Sequence, residues 1–146
     1  MEPETAVTTV GHAIQLSVAP VFLLSGIGAM LAVMTNRLAR VVDRARGVEA
    51  RLSGEAPDDL ASSHGHLRTF SRRAKLINLA ITFCTITALL VCAVVATLFV
   101  GAFLQFDAAI PVAILFISAM STFFTGLLFF LREIFIATAS LRIGPR

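Results

Sequence analysis

The chain has 146 residues, 57% of them hydrophobic and only 14% charged, with a net charge of +3 and a mean hydropathy of +0.87. A soluble domain carries about a quarter charged residues, so this composition excludes an ordinary water-soluble globule. The apolar residues fall in three blocks, about 10–36, 76–104 and 108–131, each longer than the roughly 20 residues that cross a hydrocarbon core of about 30 Å.

Three spans use most of the length, so a single membrane domain over 1–146 is expected, all-α and integral to the membrane. The N-terminus reads MEPETAVTTV. It is acidic, and the apolar run behind it is too long for a cleavable signal peptide, which has a basic start and a short core. Neither an N-terminal Gly nor a C-terminal Cys offers a lipid anchor.

Span one contains Pro20, which removes a backbone donor and predicts a kink by freeing the carbonyl of Leu16. Small residues follow it at Ser25, Gly26, Gly28, Ala29 and Ala32. Ser25, Ala29 and Ala32, at three- and four-residue steps, let helices approach closely, within or between subunits. Gly26 and Gly28 do not make a nucleotide loop, because no strand precedes them. Counting about 20 residues outward from Asn36 places His12 and Gln15 near the outer interface. They mark either an outer entrance or a satisfied interfacial pair.

The helix is expected to continue past Asn36. Met34, Leu38, Val41, Ala45, Val48 and Leu52 alternate four- and three-residue steps, the rhythm of a heptad seam as in a coiled coil. Arg37, Arg40, Arg44 and Arg51 keep that rhythm one position earlier. SGEAPDD at 53–59 then predicts a break, with Gly54 ending one helix and Pro57-Asp58 opening the next. The return arm carries Leu60, His64, Leu67 and Ala74 in partial phase, weakened by Gly65 and Ser62-Ser63. Residues 37–75 are therefore expected to form an antiparallel helical hairpin. Asp43 and Glu49 are expected to pair with its arginines, such as Arg68 or Arg72.

Span two has a polar stripe at Asn78, Thr82 and Thr85, continued by Cys92 and Ala96. A short outer turn, QFDAAIP, leads to span three, with Pro111 tolerated in the first helical turn. Span three carries Ser118, Ser121, Thr122 and Thr125. Such hydroxyls act as interhelical glue or satisfy their own helix; converging in one leaflet, they would line a water-filled cavity. Arg132-Glu133 interrupts LLFFLREIFIA. Neighbours on a helix point about 100° apart, so each is expected to find a partner on another helix at the inner interface, Glu133 with Arg37 or Lys75. An ionisable residue so close to a membrane is a candidate site, and a structural latch is the simpler role. The stretch 132–146 closes the chain as a cytoplasmic helix end.

All 12 lysines and arginines lie between spans one and two or after span three. The positive-inside rule then places the hairpin and C-terminus in the cytoplasm and the N-terminus outside. The arginine stripe reads either as topology plus attraction to anionic headgroups, about 1 kcal/mol per basic residue, or as a vestibule favouring anions where several subunits meet.

Catalytic chemistry is not expected. No acid lies in the middle of a span, and HExxH, a serine elbow and a metal cluster are all absent from the sequence. His64 and His66 have poor spacing for a shared metal. Cys84 and Cys92 read as small apolar fillers. Neither metal nor cofactor is expected, nor nucleic acid as a partner; the lipid bilayer and its anionic headgroups are.

IQLSVAPVFLLSGIGAMLAVMTNRLARVVDRAR, with LINLAI opening span two and FLREIFIATASLRIG near the end, resembles the DUF2721 family of small bacterial inner-membrane proteins of unknown function. The likeness runs from about Val10 to Ile143. It implies three membrane helices, a cytosolic hairpin and a capacity to form oligomers, and it carries no activity or catalytic residue.

The sequence leads to a homo-oligomeric ion channel or small-solute pore, with span one at the axis. Its candidate lining is His12, Gln15, Ser25, Ala29, Ala32, Asn36, Arg37, Arg40 and Arg44. The other reading is a membrane-anchored scaffold or sensor whose basic hairpin binds a partner protein or anionic lipid.

Overall fold

The computed structural model describes the backbone of residues 3–52, 60–104 and 106–139, and the side chains of 8–50, 70–104 and 106–138. The expected turn at 53–59, the side chains of Leu52, Leu60, His64, His66, Leu67 and Arg68, and the terminal Arg142 and Arg146 lie outside these residues. Among the described residues all regular structure is α-helical: α1 (Pro3–Leu52), α2 (Leu60–Leu104) and α3 (Ala109–Ala139). Each holds an 18-residue stretch of mean hydropathy 2.1 or more, long and apolar enough to cross a membrane. Helices suit that solvent because every backbone group is satisfied within the segment.

α1 passes through Pro20 and does not stop at Asn36. Arginine, leucine and alanine, which dominate after Asn36, are all strong helix formers. α2 likewise runs without a break from Leu60 through Gly65 into the apolar stretch.

The helices contribute segments to two compact units. The first comprises Met1–Met30 and Phe83–Phe124. Among the described residues its buried ones are mostly small: Ala13, Ser17, Pro20 and Ile27 from α1, Cys84, Thr87, Val91, Val94 and Gly101 from α2, and Ala119 from α3. Small side chains replace the hydrophobic effect as the reason for contact, because lipid tails are as apolar as leucine and close backbone approach is what remains. The buried hydroxyls return to their own helices, Ser17 Oγ donating to the Ala13 carbonyl at 2.8 Å and Thr87 Oγ1 to the Phe83 carbonyl at 2.9 Å. Large apolar groups point outward instead, with Phe22, Leu89, Phe103, Ile110 and Phe124 all exposed.

Gly101 is buried where α2 nears its end, and a Cβ placed there would lie 2.7 Å from the Ala108 Cβ. Six residues on, Asp107 Oδ1 accepts from the Ala109 backbone N–H at 3.0 Å, and the Ala108 carbonyl accepts the first helical bond, from Val112 N–H, at 3.0 Å. Asp107 thus forms an Asx turn that sets the entry of α3. Asp107→Ala is expected to cost about 0.5–2 kcal/mol, the range for a lost helix-start side chain, and Asp107→Asn far less. Thermal unfolding in detergent checks this; equal midpoints for the alanine variant and the wild type would remove the turn from the account.

The second unit comprises Leu31–Thr82 and Thr125–Arg146. Among the described residues, Met34 and Val41 of α1, Ile77 and Ala80 of α2, and Glu133 of α3 are its buried side chains. The heptad seam expected after Met34 is the sheltered side of α1: Met34 and Val41 are buried, and Leu38, Ala45 and Val48 are partly so.

Candidate functional site

The second unit gathers charge on a carboxylate. Glu133 follows Ala119 and Gly126 at seven-residue steps on the buried line of α3, and its side chain is fully enclosed. Arg73 lies four residues before Ile77, in phase with the buried Ile77 and Ala80 of α2. Arg37 lies four residues before Val41 on α1. Both arginines reach the same carboxylate. Arg73 donates from Nε at 3.2 Å and from an Nη at 3.0 Å to Oε1. Arg37 brings an Nη to 2.8 Å from Oε2.

The two contacts differ in kind. Arg73 makes a hydrogen-bonded fork, with its side chain 12% exposed. Arg37 is 30% exposed and close enough for an ion pair, but not aligned for a hydrogen bond, so Oε2 keeps an unfilled acceptor position. Arg37 also lies over the Phe130 ring, 5.4 Å from its centroid, within the reach of a cation–π attraction. All three helices are thus tied by one carboxylate.

Beside this cluster is a cavity of about 410 Å³ lined by Val33, Arg37, Arg40, Val41, Arg44 and Arg73. At about 100° per residue, Arg37, Arg40 and Arg44 fall within roughly 60° of arc on α1. Arg40 and Arg44 are exposed. Arg40 Nε donates a long bond, 3.4 Å, to the Asn36 carbonyl of its own helix. Among the described residues no carboxylate forms an ion pair with Arg40 or Arg44.

His12, Gln15, Ser25, Ala29, Ala32 and Asn36 are all exposed on α1. A Cβ at Gly26 or Gly28 would meet nothing within 4 Å. Asn78, Thr82 and Thr85 share an exposed side of α2. Ser118 and Thr122 are partly covered, as is Thr125. Thr82, Ser118, Ser121 and Thr122 each donate to the carbonyl four residues back, at 2.7–2.9 Å. Cys84 is buried and Cys92 exposed. Arg132 is exposed, in contrast to its neighbour Glu133.

Sequence reasoning anticipated Arg37 as a partner of Glu133 and missed Arg73. Lys75, the other residue considered, is exposed and sits about 200° around α2 from Arg73. The signal for Arg73 was its phase with Ile77 and Ala80. Phe130 carried no polar signal. Of the pairings expected for Asp43 and Glu49 with Arg68 or Arg72, those to Arg68 lie outside the described side chains, and Asp43 and Arg72 are both exposed with no ion pair between them.

A family model described as a protein of unknown function (DUF2721) matches residues 17–143, a stretch that takes in Arg37, Arg73 and Glu133, and the chain belongs to that family. No curated protein and no solved structure matches the chain.

Proposed function

We propose that this member of the DUF2721 family is a homo-oligomeric protein of the bacterial inner membrane that forms a pathway for ions or small solutes, α1 lining the axis. The observation that carries this reading is the side of α1 on which its polar and small residues fall. His12, Gln15, Ser25, Ala29, Ala32, Asn36 and Arg40 are all exposed in the single chain. Lipid tails favour large apolar groups such as the outward Leu89 of α2 and Phe135 of α3, not serine, asparagine and alanine; small residues belong against another helix, and Phe22, on the same side of α1 as Gln15, Ala29 and Asn36, joins them there. Three helices alone are too few to enclose a path, so the exposed small residues meet other copies and the polar ones meet water.

The distribution of lysine and arginine supports an N-terminus outside and a cytoplasmic hairpin at 37–75. Arg40 and Arg44 then stand at the inner mouth and favour anions. Arg37 contributes less there, since Glu133 occupies it. A scaffold or sensor binding anionic lipid is the second reading, favoured by the same two arginines, which have no carboxylate partner among the described residues.

Purified protein in liposomes, with Arg40→Glu and Ala29→Leu beside the wild type, tests the pathway. Expected are an anion flux in the wild type, a shift of several-fold toward cations in Arg40→Glu, and loss of both flux and oligomer in Ala29→Leu. Absence of flux over several ions and both polarities removes the pathway and leaves the scaffold.

A further inference from the structure

We propose that the arginine cavity is a binding site for a phosphate group, presented either by a lipid headgroup or by free inorganic phosphate. The site is complete within one chain, so it does not rest on assembly. Among the described residues its lining holds four guanidinium groups and no carboxylate, with Val33 and Val41 as apolar walls. Glu133 offsets one positive charge from behind, through Arg37 and Arg73. The cluster therefore keeps a large positive excess next to apolar surface, where like charges repel more strongly than in water. A bound anion relieves that repulsion.

The shape of the donors selects the anion. Guanidinium forks match the oxygens of phosphate in pairs, which a spherical ion cannot exploit. Arg73 is already fixed by its fork on Glu133 Oε1, so Glu133 acts as a positioning residue that holds a donor at the cavity wall. Arg40 and Arg44 supply the charges with no carboxylate partner among the described residues. A volume of about 410 Å³ lies within the usual range for small-ligand sites, about 300–1,000 Å³.

The test uses the full chain. In detergent micelles, inorganic phosphate is titrated against it by calorimetry, with chloride at matched ionic strength as the control. In parallel, lipid retained by protein taken from bilayers of phosphatidylcholine, with or without phosphatidylglycerol, is counted by native mass spectrometry. Saturable binding of one phosphate group per chain is expected. Free phosphate binding in micelles identifies the soluble source; retention of phosphatidylglycerol alone identifies the headgroup. The Arg40→Gln/Arg44→Gln variant is expected to bind about tenfold more weakly or worse, as loss of charge-assisted bonds implies. Arg46→Gln, an exposed arginine about 200° around α1 from Arg44, is expected to leave binding unchanged.

Equal weakening by Arg46→Gln, or chloride competing as well as phosphate, would reduce the site to diffuse attraction and overturn the proposal. So would the absence of saturable binding from both sources. Helix content by circular dichroism checks that the double variant folds; if it does not, Arg44→Gln alone and the wild-type titrations still decide.

Discussion

Glu133→Ala is expected to destabilise the protein by about 3–5 kcal/mol, the cost of stranding a buried charge by removing its partner. The carboxylate is fully enclosed and serves two arginines, so its loss leaves Arg37 and Arg73 facing each other with nothing between. Rehydration softens this more for Arg37, at 30% exposed, than for Arg73, at 12%. The single variants should therefore rank Glu133→Ala worst, then Arg73→Ala, then Arg37→Ala. Glu133→Gln keeps the shape and one acceptor, and falls between Glu133→Ala and the wild type. Replacing all three charges with methionine is expected to restore much of the stability, since well-packed apolar groups often match a buried ion cluster. Unfolding in mixed micelles with increasing denaturing detergent measures each. A Glu133→Ala midpoint equal to the wild type's would show that the cluster holds nothing together.

Gly101→Ala is expected to cost about 1–3 kcal/mol, the usual penalty for forcing a methyl group into a packed site. The new Cβ would lie 2.7 Å from the Ala108 Cβ, and Ala108 cannot swing aside because its only side-chain atom is fixed by the backbone. The physical remedy is specific. Ala108 caps α3, its carbonyl taking the Val112 bond, and glycine at such a position is better tolerated than alanine. Ala108→Gly alone should thus be near neutral, and the double variant should recover most of what Gly101→Ala loses. A double-mutant cycle on thermal midpoints reads the coupling. Additive losses would mean that the two residues do not meet.

The three helices were legible because length and hydropathy suffice to mark them, and the continuation of α1 past Asn36 because the seam from Met34 to Val48 sits among polar residues. Earlier in the chain the same seven-residue step continues through buried Ala13, Pro20 and Ile27, yet it was invisible. Where nearly every residue is apolar, hydrophobic periodicity has no contrast, and the sheltered line is marked by small size instead. Glu133 stood out because a carboxylate among phenylalanines has to be explained. Arg73 did not, since it is one of four basic residues within 68–75, and only its phase with Ile77 and Ala80 distinguishes it. The hydroxyl stripes illustrate the reverse case: a polar pattern plain in sequence turns out to consist largely of bonds within one helix.

The sharing of one carboxylate also sets a timetable for the protein's own making. Glu133 follows Arg73 by 60 residues, so at about 5–20 residues per second a ribosome needs on the order of 3–12 s to supply it. Through that interval the first two helices exist with their inward arginines unneutralised. They can enter a bilayer only with water or headgroups still on those side chains. The arrival of the last helix is therefore the event that lets them dry, and a nascent chain cut short before Glu133 carries its own mark of incompleteness.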